Sequence, residues 1–194
     1  NVAKIAFDTL TRADATKNTP LTDADFRKDA GRSNEFTFDE NINMFFLQMS
    51  RQFKKLGLIA GIRAENTVTQ GESVTLKSLV NRNYWNILPS LTLQYKINDN
   101  SNLVWASSRK LSRPTVWQLN PFPFFIDPLT VAIGNPFLFP RIRNVSELTY
   151  TYKKLMLITG YNLNQNAVSQ LPLYNAATRL TTWQQVNTQT QRVF

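Results

Sequence analysis

Arg63 and Glu65 stand two residues apart in GLIAGIRAENT, and opposite charges at that spacing fall on one face of a β-strand. Such a pair can partner charges on neighbouring strands or on a packed domain. It is not a catalytic constellation. The chain has no histidine and no cysteine, which removes the usual general base, imidazole and thiolate metal ligands, and disulfides. Only a carboxylate pair is left for catalysis, and the thirteen acidic residues show no partner spacing. No enzyme, metal or cofactor is expected.

The other charges are cationic. Lys and Arg number 22 against 13 acids, a formal net charge of +9. The excess lies downstream of residue 40, in the groups Arg51/Lys54/Lys55, Arg109/Lys110/Arg113, Arg141/Arg143 and Lys153/Lys154. These groups sit at the ends of alternating apolar runs and do not form a continuous stripe, so nucleic acid is not the expected partner.

The elements that must position these charges have period two. In FTFDENINMFF the even residues Phe36, Phe38, Ile42, Met44 and Phe46 oppose Thr37, Asp39, Asn41 and Asn43. In LGLIAGIRAEN, Leu56, Leu58, Ala60, Ile62 and Ala64 oppose Gly57, Gly61, Arg63 and Glu65. In PSLTLQYKI, Leu91, Leu93, Tyr95 and Ile97 oppose Ser90, Thr92, Gln94 and Lys96. Further strands are expected near 3–11, 102–111, 145–152, 155–163 and 179–192, about eight in all, with no helix.

Alternation alone also describes a soluble, half-buried antiparallel sheet. Three features favour a transmembrane β-barrel: wet faces carrying Asn, Asp, Arg, Glu and Gly, runs long enough for a tilted membrane strand, and aromatics near strand ends. Long connections (13–33, 67–83, 112–144, 164–178) also alternate with tight ones at SRQFKK, NDNSN and YKK. On this reading Phe38, Ile42, Leu58 and Ile62 face lipid, while Asp39, Asn41, Asn43, Arg63, Glu65 and Gln94 face the lumen. Glu40 conflicts with the greasy parity of Phe38 and Ile42 and calls for the rim, a cation or a bulge. Arg109, Leu111 and Arg113 conflict in the same way and are left without a facing.

FTFDENINMFF, GLIAGIRAENT, YWNILPSLTLQYKIN, SSRKLSRPTVWQLNPF and IGNPFLFPRIRNVSELTY, in this order over residues 36–150, resemble the barrel of TonB-dependent outer-membrane receptors, in particular the Bacteroidota-type outer-membrane β-barrel family. The resemblance implies an all-β, antiparallel barrel, of which this chain would supply about eight of about 22 strands. It also implies a place in the outer membrane of a Gram-negative bacterium, contact with outer-membrane lipid, and energy-coupled import of a scarce ligand. The plug, and the segment that meets the TonB complex, are expected outside residues 1–194. The ligand itself is not legible.

The resemblance places the proline-rich stretch 112–144 in a long extracellular excursion, where Trp117, Asn120, Phe122, Asn135 and Phe137 either contact ligand or fill the loop's own core. Proline, which lacks a ladder N–H, suits such a loop. Ser107 stands where the family commonly has tyrosine, and Arg141 follows Phe139-Pro140 where it often has Pro-Glu. The terminal TTWQQVNTQTQRVF is polar at both parities, like the outer end of a descending strand. Two other readings stay open: a self-contained eight-stranded anchor or adhesin, and a soluble β-rich module binding glycans or polyanions through basic loops and Trp85, Trp105, Trp117 and Trp183.

Overall fold

The computed structural model describes residues 2–12 and 22–193. The chain opens on β1 (Val2–Phe7), and a small hairpin of β2 (Leu10–Arg12) and β3 (Phe26–Lys28) precedes the long strands β4 (Asn34–Phe53), β5 (Leu56–Ser73), β6 (Ser78–Asn98) and β7 (Ser101–Ser112). A first excursion carries one helical turn, α1 (Val116–Leu119), and the short strands β8 (Phe124–Asp127) and β9 (Thr130–Ile133). After β10 (Arg141–Tyr152) and β11 (Leu155–Gln165), a second excursion forms β12 (Val168–Asn175) and β13 (Leu180–Asn187), and β14 (Gln191–Val193) follows.

Eight strands make one curled sheet in the order β1-β4-β5-β6-β7-β10-β11-β14, every neighbouring pair antiparallel. β1 and β14 are its two edges, so among the described residues the sheet does not close on itself. Its tight connections are two-residue turns at Lys54-Lys55, Asp99-Asn100 and Lys153-Lys154. Lys54 and Lys153 adopt the left-handed backbone conformation there, at φ 45° and 51°.

Directly opposed residues of an antiparallel pair share a face, so the register sorts the side chains. One row runs Phe53, Leu56, Tyr95, Leu103, Tyr150 and Leu157; the next runs Arg51, Leu58, Leu93, Trp105, Leu148 and Thr159. This face is an apolar belt whose large side chains, Phe45, Leu47 and Ile62 among them, are exposed. The opposite face carries rows such as Gln48, Gly61, Ser90, Ser108, Val145 and Asn162. A soluble sheet does not leave so wide an apolar belt uncovered.

The register corrects part of the expected facing. Phe38 opposes Gly71 and Ile42 opposes Thr67, which puts both on the face of Glu65; Leu58 and Ile62 oppose Arg51 and Leu47 and lie on the apolar face. Asp39, Asn41 and Asn43 oppose Gln70, Val68 and Asn66, and so stand on the apolar belt's face and not with Arg63, Glu65 and Gln94. The physical reason is that the greasy residues of upper β4 are buried by the chain's own excursion: Phe36 is 2% exposed. The three polar residues fit the opposite face because β4, at 20 residues, is about twice the length that crosses a bilayer and runs on above the belt.

One connection and one strand differ as well. Residues 67–83 are mostly strand, since β5 and β6 continue to a four-residue turn, 74–77. The run 179–192 is not a wall strand: β13 pairs antiparallel with β12 and parallel with β9 in a separate four-stranded sheet, and the wall's eighth strand is β14, opposite Asn162–Asn164. β13 is half-buried along its whole length, and its Thr and Gln at both parities suit a sheet that meets no bilayer. Of the expected 13–33 connection, residues 13–21 lie outside the described residues.

The two faces are separable by charge. Ile62→Arg, near the middle of the belt, is expected to cost about 2–4 kcal/mol of unfolding free energy in vesicles, and Gln94→Arg on the other face less than about 1 kcal/mol. Denaturant titration of both variants checks this; equal costs would mean that the faces are assigned wrongly.

Candidate functional site on the polar face

β7 ends at Ser112, and the chain then turns across the polar face, led by Arg113. Its guanidinium reaches Glu65 Oε2 at 2.5 Å and Thr67 Oγ1 at 3.0 Å, and lies 3.4 Å from Glu40 Oε1. Glu65 also accepts from Arg63 Nε at 2.6 Å. The Glu65 side chain is 4% exposed and Thr67 is fully buried. β4 and β5 bring these groups together because Glu40 opposes Thr69 and Glu65 opposes Met44, on one face. The conflict at Glu40 is thereby explained: its face is greasy because it is covered, and its charge is met by a cation. Arg109, opposite Asn144, lies on the other face.

Above this network the excursion lays Pro114, Leu119, Pro136 and Leu138 over Phe36, Phe38, Gly71, Val80 and Tyr84, leaving a void of only about 20 Å³. Arg82 donates to the Leu138 carbonyl oxygen and lies over the Tyr84 and Phe139 rings at 5.4 and 5.0 Å. Buried Asn120 accepts from Asn34 Nδ2 at 3.2 Å. Thr115 and Gln118 cap the helical turn reciprocally. In Gly-Asn-Pro, any Cβ on Gly134 would fall 2.4 Å from the Asn120 carbonyl oxygen, because the two backbones are bonded there, Gly134 N to Asn120 O at 3.0 Å and Asn135 N to Gln118 O at 2.7 Å. The proline-rich motifs thus build a folded lid, with glycine at its closest backbone approach.

Arg63 and Glu65 are brought into the network, and Gln94 lies lower on the same face, opposite Gly57 and Val104. Asn120 and Phe122 are core residues of the lid, whereas Trp117 and Phe137 are 60% and 66% exposed. Asn135 joins the two excursions, its Nδ2 donating to the Gln185 carbonyl oxygen at 3.2 Å. A cleft of about 260 Å³ between them is lined by Trp117, Phe122, Phe124, Gln170 and Gln185, with no charged side chain. In the excursion strands, the Leu129 N–H bonded to Asp127 holds that carboxyl below the ordinary carboxylate range.

Sequence reasoning missed the part played by Arg113 and Arg82. The parity conflict of Glu40 was the available signal for the first. The polar face also carries Lys110 directly opposite Arg143, with Arg141 close by. Arg141 and Arg143 donate to Asn164 and Asn162, neutral acceptors that fix each guanidinium without cancelling its charge. Among the described residues none of these three cations has a carboxylate partner.

Arg113→Met strands a buried glutamate and is expected to cost about 3–5 kcal/mol, much of it restored by the double change with Glu65→Met. Limited proteolysis should then cut within 113–140 while the wall survives; an uncut lid would show that the network does not hold it. Gly134→Ala is expected to cost about 1–3 kcal/mol by thermal unfolding, through overpacking.

Compared with solved structures, the fold is similar to the siderophore receptor PirA from Pseudomonas aeruginosa, with 12% identity, a TM-score of 0.52, and 82% of this chain matched to 38% of that one. The ferric enterobactin receptor PfeA in complex with BCV-L6 gives 12% and 0.51, matching 89% of this chain to 34% of that one. A mutant of PfeA from Pseudomonas aeruginosa in complex with enterobactin gives 11% and 0.52, matching 99% to 36%. At such identities the likeness is one of fold, and this chain spans between a third and two fifths of those receptors. No protein with a curated description matches the sequence. The sequence profile described as the Outer membrane protein beta-barrel family matches residues 4–194. An open antiparallel sheet with an apolar belt, a lidded polar face and a family match over nearly its whole length make the chain a member of that outer-membrane β-barrel family.

Proposed function

We propose that the chain is a section of the wall of an energy-coupled receptor that imports a scarce ligand across the outer membrane. In this reading further strands complete the barrel, about 22 in all, around a plug domain whose periplasmic segment meets the TonB complex. The observation that carries it is the lid: an excursion folded onto the face that a barrel turns to its lumen, held by Arg113, with Lys110, Arg141 and Arg143 uncompensated beside it. Arg63 and Glu65 serve the lid's anchorage, Gln94 remains for lumen contacts, and Trp117 and Phe137 are the exposed aromatics that ligand would meet.

Like charges directly opposed across a ladder repel, and the Lys110–Arg143 pair is relieved when an anion bridges it. The receptors similar in fold bear the names of a siderophore and of ferric enterobactin. By extension an iron chelate with net negative charge is the ligand class favoured here.

The test is uptake of radiolabelled iron as its tris-catecholate complex by cells whose sole receptor is the full-length protein. Uptake should stop when the proton-motive force is collapsed, and should fall about tenfold or more when Lys110→Gln and Arg143→Gln are combined, given ~1.5–3 kcal/mol per charged hydrogen bond. Uptake that survives uncoupling would end the energy-coupled reading; uptake indifferent to the double variant would end the anionic one.

A further inference from the structure

The end of the wall opposite the lid carries a repeated feature that takes no part in the lid or in the Lys110–Arg143 cluster. Phe53-Lys54-Lys55-Leu56 and Tyr152-Lys153-Lys154-Leu155 are the same sequence pattern, an aromatic residue, two lysines and a leucine, each forming a two-residue turn between wall strands. In both turns the first lysine holds the left-handed conformation, a position that Asn or Gly fills at lower cost. In both, the flanking aromatic and leucine face each other on the apolar belt, Phe53 opposite Leu56 and Tyr152 opposite Leu155.

The third turn lies between them, and hydrogen bonds tie the three into one edge. Lys96 N donates to the Lys55 carbonyl oxygen and Lys153 N to that of Asn100, both at 2.8 Å. Four strand intervals separate the two lysine turns, about 19 Å. Along this edge stand Arg51, Lys54, Lys55, Lys153 and Lys154, with Lys96 at the same level on the polar face, against Asp99 as the one acid between residues 51–58, 93–104 and 149–158. Asp99 is already committed to Lys96, at 2.7 Å, whose hydrogen bond and charge hold its carboxyl below the ordinary range. Arg51 and Lys153 lie over the rings of Phe53 and Tyr152, which keeps each cation at the border of the belt. Lys54 and Lys154 are exposed and have no side-chain partner among the described residues.

We infer that this edge is a binding site for the phosphodiester headgroups of anionic phospholipids in the periplasmic leaflet, with the aromatic and leucine pairs seated among acyl chains and the lysines at headgroup depth. Charge complementarity and continuity with the lipid belt both point to lipid as the occupant. Short turns of such barrels lie on the periplasmic side, and lysines whose stems follow apolar surface while the ammonium reaches outward are suited to that border.

The full-length protein, purified in a neutral detergent, is equilibrated with equimolar phosphatidylglycerol and phosphatidylcholine of the same chains, and retained lipid is counted by native mass spectrometry. Wild type should retain phosphatidylglycerol in preference, and the combined change Lys54→Gln, Lys55→Gln, Lys153→Gln, Lys154→Gln should abolish the preference, each lysine being worth on the order of fivefold. The corresponding four Lys→Arg changes should keep it, as should Lys77→Gln in a turn at the other end. Equal retention of the two lipids by wild type, or a preference that persists in the folded glutamine variant, overturns the inference. Heat-modifiable migration reports folding. If the glutamine variant does not fold, salt decides: raising NaCl from about 0.05 to 0.5 M should erase the wild-type preference, and a salt-insensitive preference overturns the inference equally.

Discussion

In hydrocarbon no water is at hand to satisfy a backbone N–H or C=O, and each one left unpaired costs several kcal/mol. This constraint decides most of what is seen in the wall. It requires strands paired in an unbroken register, and from β4 to β6 the register runs without a slip. Tight two-residue turns lose the fewest ladder bonds at one end. At the other end, above the bilayer, water can satisfy the backbone, and there the chain departs into proline, a helical turn and short strands. The location of irregular structure thus follows from where water is available.

Unbroken register has a second effect, because it fixes the facing of every side chain once one is known. Alternation in the sequence implied that residues 36–46 and 56–64 pair about a turn near Arg51 to Lys55, which the structure places at Lys54-Lys55, and that Arg63 and Glu65 share a face. It did not show which medium each face meets. Phe36 and Phe38 look like lipid-facing residues because burial under a lid and burial in a bilayer select the same side chains. The stretch Met44-Phe45-Phe46-Leu47 is apolar at both parities, so nothing local separates the belt from the polar face there. Glu40 did carry the information. A carboxylate among phenylalanines is tolerable where a guanidinium comes to meet it, and Arg113 lies beyond β5, β6 and β7 in sequence, out of the reach of any periodicity.

The excursions were the least legible part for a related reason. Their contacts are few, long-range and specific: Arg82 to the Leu138 carbonyl, Asn34 to Asn120, Gly134 against Asn120. Proline and glycine announced a shaped loop without stating what it was shaped against. The run 179–192 read as a strand, which β13 is, yet strand pattern alone cannot tell a wall from a sheet standing in water. Thr181, Thr182, Gln184 and Gln185 satisfy either parity equally, and the apolar residues of β13, Leu180, Trp183 and Val186, do not keep to one parity, so the strand offers no belt row and fits its place beside β9.

The lid and the wall are therefore held by different physics. The wall depends on a ladder of backbone bonds that hydrocarbon makes expensive to open, and so it is cooperative and rigid. The lid depends on a buried ion cluster at its root and on a thin apolar layer above it, and buried ion pairs return little net stability because desolvation offsets their attraction. What such a cluster confers is position: Arg113 can satisfy Glu65, Thr67 and Glu40 together in only one placement, and that placement sets where the excursion starts across the polar face. Beyond that root the lid is held by side-chain packing, Leu119 and Leu138 being buried, and by the Arg82 bond to the Leu138 carbonyl oxygen, so it is attached to the wall without sharing the wall's ladder. An element of that kind is suited to stand between the outside medium and a lumen.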